Sequence, residues 1–312
     1  MPITSAVWEG GGAKGIAYAR IPEALNDMGE LQNIKRVAGS SCGSIMALFF
    51  ALGYTPAQID RITSELNFAE FMSKSYWRLL WAEGLSSGAR LEEWIKWKIR
   101  VKTGSAYTTF DELYKSRGVF LVITGTNMTD RKTEYFSHRT TPDMELWRAV
   151  RISCALPIVF DPVIYNDKKY VDGGALMNFP IKVFDNEPNN QTIGFRFNYK
   201  RVVSRPAPSH ILPFWRVAMD IVNIMVDRVY EYSSYDDSNR TAEINVYEMQ
   251  ATDCEIPLER KRLLKNNGYL ATIRAIKRIR AAEEARCDSE IMVEVRPALE
   301  ILRKARLAGS CG

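Results

Sequence analysis

Histidine is nearly missing from this chain of 312 residues: only His138 and His210 occur. Cysteine is sparse and odd in number, with Cys42, Cys154, Cys254, Cys287 and Cys311 scattered and no CxxC pair. No Cys/His cluster exists to hold a structural zinc, no disulfide framework is expected, and a reducing compartment fits best. Long apolar runs are lacking too. The longest, Ile45 to Leu52, falls far short of the ~20 residues that span a bilayer. The opening MPITSAVWEGGG has neither a basic flank nor an apolar h-region. The expectation is therefore no secretory signal and a cytoplasmic protein. Internal repeats and low-complexity tracts are absent as well.

What remains has the proportions of a soluble globular protein, 46% hydrophobic and 25% charged. The length permits one large domain or two ordinary ones and a sizeable core without covalent staples. The net charge of +5 is uneven. Residues 258–312 hold 13 Lys/Arg against 7 Asp/Glu, whereas residues 1–257 hold 29 against 30. Such a basic region suits an anionic surface, nucleic acid or membrane, unless it is only the solvated face of a helix.

Hydrophobic patterning reads as alternating strands and helices. TSAVW (4–8) is a strand entering glycines, 16–28 a helix stopped by Gly29, IKRVAG (34–39) a strand, and SIMALFFALG (44–53) a buried helix. Residues 57–72, 89–104 and 143–160 read as helices, the last broken before Pro157. VFLVITGTNM, TEYFSH and QTIGFRFNY read as strands, and 162–181 as a β-turn-β unit closed by a glycine turn. The proline-rich 204–213 reads as a connector, followed by a long amphipathic helix at 214–232, a strand-like AEINVYEMQ and charged helix. This predicts an α/β fold with a mainly parallel sheet, a core over 1–200 and a mostly helical layer over 201–312.

Two glycine patterns carry the chemistry. GGGAKG (10–15) fits G-x-G-x-x-G after a strand and before a helix. The dinucleotide reading fails because the second strand ends in Gly39-Ser40-Ser41 rather than an acid. The P-loop reading fails because Lys14 precedes Gly15 and no Ser/Thr follows in place. Free amides at a helix start still suit an anion, whether phosphate or a developing oxyanion. The second pattern, Gly39-Ser40-Ser41-Cys42-Gly43, fits G-x-S-x-G between a strand and an apolar helix. There a serine on a sharp turn is exposed as a nucleophile. Its base is open on residues alone. Ser41, Asp172 and His210 follow the chain order of an α/β-hydrolase triad, but only one strand precedes the strand leading to the turn. Asp172 in VDGG is the carboxylate alternative, and an Asp-Gly turn between strands its plain reading.

Taken together, EGGGAKG (9–15), GSSCG (39–43), RISCALPIVFDPV (151–163), VDGG (171–174) and NFPI (178–181) resemble the patatin-like phospholipases over roughly residues 4–200. That resemblance implies a three-layer α/β fold and a lipid acyl hydrolase without metal or cofactor. It implies Ser41 as nucleophile and Asp172 as base. The oxyanion hole falls to Gly11 and Gly12, shaped by Gly10 and Gly15. Gly39 and Gly43 shape the elbow, and Gly173 and Gly174 the turn after the base. Lys14 stands where arginine is frequent in the family, and Cys42 where alanine or glycine is. The implied partner is a phospholipid membrane or micelle surface, not nucleic acid; a protein activator and self-association are left open. The alternatives are an acyltransferase or soluble-ester esterase with the same dyad, and a non-catalytic lipid- or partner-binding protein. The aromatic SYWRLLWAEG (75–84) and the 214–232 helix are the segments considered for lipid contact; the first reads at least as well as a core helix, and a stripe like the second is more often core or a subunit interface.

Overall fold

The structure is a computed structural model that describes residues 2–71, 83–198, 235–247, 249–251, 253 and 255–308, with side chains of the last helix to Ala285. The segment Tyr76–Trp81, the 214–232 helix and His210 lie outside the described residues.

The strands are β1 (Ser5–Trp8), β2 (Arg36–Gly39), β3 (Gly84–Ser86), β4 (Phe120–Asn127), β5 (Lys132–Phe136), β6 (Ile158–Phe160), β7 (Val163–Tyr165), β8 (Lys168–Asp172), β9 (Thr192–Asn198) and β10 (Thr241–Asn245). The helices are α1 (Ile21–Asp27), α2 (Cys42–Ala51), α3 (Pro56–Glu65), α4 (Ala89–Thr103), α5 (Phe110–Arg117), α6 (Leu146–Ser153), α7 (Tyr235–Asn239) and α8 (Leu258–Ala308). The central sheet runs β10-β9-β1-β2-β4-β8-β7, with β5 also on β4. β10, β9, β1, β2 and β4 are mutually parallel, while β5, β8 and β7 join antiparallel. The fold is thus α/β with a mainly parallel sheet flanked by helices.

The near-continuous apolar strands are explained by burial on both faces. Period-two alternation divides them. Ala6, Trp8, Val37, Leu121, Ile123, Phe195 and Phe197 face a large core with Leu25, Met46, Phe49, Ile152 and Ile276 of the helices. Val7, Ala38 and Val122 face the opposite way, where Phe179, Ile181 and Phe184 cover them. β10 adds a strand from the 201–312 region to the sheet, and α8 packs on α1, β10 and the 3-10 helix Gly12–Tyr18. A Cβ at Gly268 of α8 would collide with the Ala17 carbonyl, so glycine sets that close approach.

Several cations of α8 turn inward. Lys265, only 7% exposed in its side chain, pairs with Asp60 at 2.8 Å, and Arg280 pairs with Glu30 at 2.7 Å. Lys261 donates to the carbonyls of Ser64 and Leu66, and Arg278 to those of Ser238, Asn239 and Thr241. Part of the basic excess therefore fastens the helix to α3, the Glu30 turn, α7 and the start of β10 instead of forming a free charged face.

Three helices are shorter than periodicity predicts. The 16–28 helix is instead the 3-10 helix Gly12–Tyr18 followed by α1. Pro22, which has no N–H to donate backwards, sits in the first turn of α1 and starts a new helix there. The 57–72 helix ends at Glu65, since Leu66 is extended, and a 3-10 turn follows at Phe68–Phe71. The 143–160 helix stops at Ser153. The chain beyond Pro157 becomes β6, paired in parallel with β3 in a small second sheet.

Candidate active site

Register carries the site residues to one end of the sheet. Trp8 of β1 lies beside Gly39 of β2, and Gly39 beside Ile123 of β4. The glycine loop after β1 and the serine turn after β2 therefore emerge side by side at the carboxyl ends of parallel strands, where open α/β sheets place ligands. Two residues further along β4, Gly125 pairs with Asp172 at the end of antiparallel β8.

Ser41 occupies the tight turn. Its φ of 49° and ψ of −126° are strained for a residue with a side chain. The turn is sharp enough that a Cβ at Gly39 would collide with the Gly43 carbonyl, and one at Gly43 with the Trp8 carbonyl. This is the physical content of the G-x-S-x-G spacing. Ser44 Oγ donates to the Ser41 carbonyl at 2.6 Å, and the Ser41 N–H donates to Ser153 Oγ at 2.9 Å.

The glycine loop is tied down by its neighbours. Gly10 N–H donates to the Asn178 carbonyl at 3.0 Å, and Asn178 Nδ2 returns a bond to the Gly10 carbonyl at 3.1 Å. The Gly10 amide is thereby engaged. Gly11 and Gly12 head the 3-10 helix Gly12–Tyr18, where the first amides have no acceptor within the helix. The Gly11 N–H faces the sulfur of Cys42, a weak acceptor. Burial nevertheless dominates at that thiol and pushes it up to about 12. Gly15 lies against the Cys42 side chain with no room for a Cβ.

Asp172 is 3% exposed. Its Oδ1 accepts the Gly174 N–H at 2.7 Å, and a Cβ at Gly174 would collide with the Asn178 side chain. Its Oδ2 is buried without a well-formed hydrogen bond. Burial drives the carboxyl from an ordinary 3.8 to about 7, against the opposing pull of the Ser41 hydroxyl and the Gly174 N–H, which favour the charged form. Serine and carboxyl are thus neighbours, with a proton affinity suited to exchange near neutral pH.

His138 is elsewhere. It stacks flat on Tyr114 at 3.8 Å and meets Phe120 edge-on at 4.6 Å, and burial, helped by Arg139, lowers its pKa. It is a packed histidine beside Phe120, the first residue of β4, away from the Gly125 end that meets Asp172, and not a partner of Ser41.

A pocket partly open to solvent rises from Ser41. Ile45, Leu66, Phe68, Phe71, Leu91, Trp94, Leu156, Val159 and Phe160 supply its walls, with Gly12, Ala13, Cys42, Cys154 and Ala251 nearer the serine. None of these residues was read from the sequence as a pocket wall, although Leu91 and Trp94 lie on one apolar side of the 89–104 helix, because they converge only in the fold. Ser153, Cys154, Ala155 and Asn178 were also missed as single residues, although the motifs that contain them stood out.

A match to the patatin-like phospholipase family model spans residues 7–185. The chain belongs to this family. Among relatives of this chain, the "probable lipid hydrolase 463L" of Invertebrate iridescent virus 6 is 31% identical over 183 residues, 57% of this chain and 61% of that protein. An uncharacterized protein of Acanthamoeba polyphaga mimivirus is 34% identical over 199 residues, 62% of this chain and 65% of its own. The chain thus spans less than two thirds of these relatives' length. VipD from Legionella pneumophila has the same fold, with a TM-score of 0.61 at 17% identity over 89% of this chain and 67% of that one. No helix among the described residues is long and apolar enough to cross a membrane.

Proposed function

We propose that this patatin-like protein is a lipid acyl hydrolase of the phospholipase A or lysophospholipase type, working through a Ser41–Asp172 dyad. One observation carries the reading. A strained serine opens into an apolar pocket beside a buried carboxyl raised to about 7. An acyl chain gains about 0.8 kcal/mol per buried CH₂, so such walls select esters of fatty acids over small polar esters.

The ionised Asp172 takes the proton from Ser41 Oγ as Oγ bonds to the ester carbonyl carbon. The carbonyl oxygen becomes an oxyanion, met by the Gly11 and Gly12 amides; each such donor is worth roughly 3–4 kcal/mol. As the C–O bond to the leaving alcohol breaks, Asp172 returns the proton to that oxygen. An acyl-Ser41 remains. Water then attacks it, Asp172 accepts the water proton, and Ser41 leaves with that proton while the fatty acid departs. No step calls for an imidazole.

The test is fatty-acid release from phosphatidylcholine in mixed micelles with excess chelator, alongside labelling by a fluorophosphonate. The expected result is free fatty acid, labelling at Ser41, and a rate that rises with pH as Asp172 ionises. Acyl chains recovered on an added alcohol in preference to water would make the protein a transferase. Absence of both release and labelling would make it a binding protein.

A further inference from the structure

The segment RISCALP belongs to the resemblance, yet the mechanism gives it no task. Its three central residues make consecutive contacts with the two proposed catalytic residues. Ser153 Oγ accepts the Ser41 N–H at 2.9 Å. Cys154 Sγ donates to the Ser41 carbonyl at 3.3 Å. The Ala155 carbonyl accepts the Asp172 N–H at 2.9 Å. We propose that Ser153-Cys154-Ala155, at the end of α6, is a positioning clamp that fixes the distance between nucleophile and base, with Ser153 its principal side chain. The proposal rests on the Ser41–Asp172 reading.

The physical need is plain. Ser41 stands in the turn after β2 and Asp172 at the end of β8, strands that are not paired with each other; β4 lies between them. A contact between their side chains has no direct backbone ladder behind it. The turn at Ser41 is also strained, so its peptide groups must be held from outside. The clamp grips both sides of the Ser41 residue and the amide of Asp172 from one short segment. Ser153 is fully buried, so no water competes for the Ser41 amide. Arg151, two residues before Ser153 and 3% exposed, braces the same helix end through the carbonyls of Ser87 at 2.7 Å and Asp161 at 3.1 Å.

Ser153→Ala removes the acceptor with almost no change of volume. Loosening the serine from the carboxyl should lower kcat about tenfold to a hundredfold, the scale of a misplacement near 1 Å, with KM held within about twofold because the pocket walls are untouched. A second readout separates positioning from mere stability. The Ser41 hydroxyl favours ionised Asp172, so weakening that contact should move the acidic limb of kcat/KM to higher pH. The titratable groups that feel Asp172 are the Cys42 and Cys154 thiols, which burial keeps protonated through that range, so the limb reports the carboxyl. Ser153→Cys, which keeps a weaker acceptor at the same place, should fall between Ala and wild type.

The experiment measures kcat, KM and the pH profile on one phospholipid for wild type, Ser153→Ala, Ser153→Cys and Ser41→Ala, each checked as folded by circular dichroism. A selective kcat loss, graded Ser over Cys over Ala, with a raised acidic limb, supports the clamp. Unchanged kcat and pH profile in folded Ser153→Ala, with Ser41→Ala inactive, overturns the clamp and leaves the dyad standing. Activity retained in Ser41→Ala overturns the dyad reading itself.

Discussion

Asp172→Asn should make the protein more stable at alkaline pH while it abolishes turnover. The buried carboxyl keeps its proton up to about pH 7, whereas in the unfolded chain it titrates near the ordinary 3.8. Between those values folding takes up a proton, so this group's contribution falls as pH rises, and its full cost is present above pH 7. The gap of about 3, at ~1.4 kcal/mol for each, corresponds to a cost on the order of 4 kcal/mol at pH 8. Near pH 4 the cost is close to zero. Asparagine cannot ionise, and its amide oxygen can still accept the Gly174 N–H. The stability difference between variant and wild type should therefore grow in favour of the variant by roughly 3 kcal/mol from pH 4.5 to pH 8. Urea unfolding followed by tryptophan fluorescence at several pH values measures it. Other titrations cancel in the difference, and any fixed cost of the new NH₂ group shifts the curve without changing its slope. A difference that stays flat across the range, or falls as pH rises, would refute the argument that Asp172 is a desolvated carboxylate.

Three further outcomes follow from the same geometry. Gly39→Ala drives a methyl into the Gly43 carbonyl and should lower stability by about 1–3 kcal/mol and remove fluorophosphonate labelling, read by unfolding and gel fluorescence. His138→Ala loses the stack on Tyr114 and should cost about 1 kcal/mol of stability yet keep kcat within about twofold, because the ring touches no site residue. Val159→Phe narrows the pocket and should shift preference toward shorter acyl chains, by about fourfold for each methylene that no longer fits, measured as kcat/KM across an ester series.

The parts of the site legible in the sequence are those where backbone geometry dictates residue type. Gly39 and Gly43 are forced by approaches too close for a Cβ, to the Gly43 and Trp8 carbonyls, and Gly174 by the Asn178 side chain standing where its Cβ would go. Such demands are local and leave a spaced pattern. The pocket walls leave none. Leu66, Leu91 and Val159 are ordinary apolar residues whose common destination is set by the packing of α3, α4 and β6. Ser153 likewise looks like any serine near a helix end until the Ser41 amide is seen against it. The central-sheet strands were legible as short apolar runs because both of their faces are buried, whereas β3 and β6 of the small sheet were not. Periodicity overran the helices at Pro22 and Leu66, where a missing N–H and an extended residue end a run of helical spacing that continues in the letters.

The most direct test of the account is a double-mutant cycle on turnover of one phospholipid in mixed micelles, using wild type, Ser41→Ala, Asp172→Asn and the double variant. The dyad predicts that each single change lowers kcat by several orders of magnitude and that the double variant is little worse than either, because the two groups act as one unit. Folded Asp172→Asn with near wild-type turnover, or losses that multiply in the double variant, would contradict it.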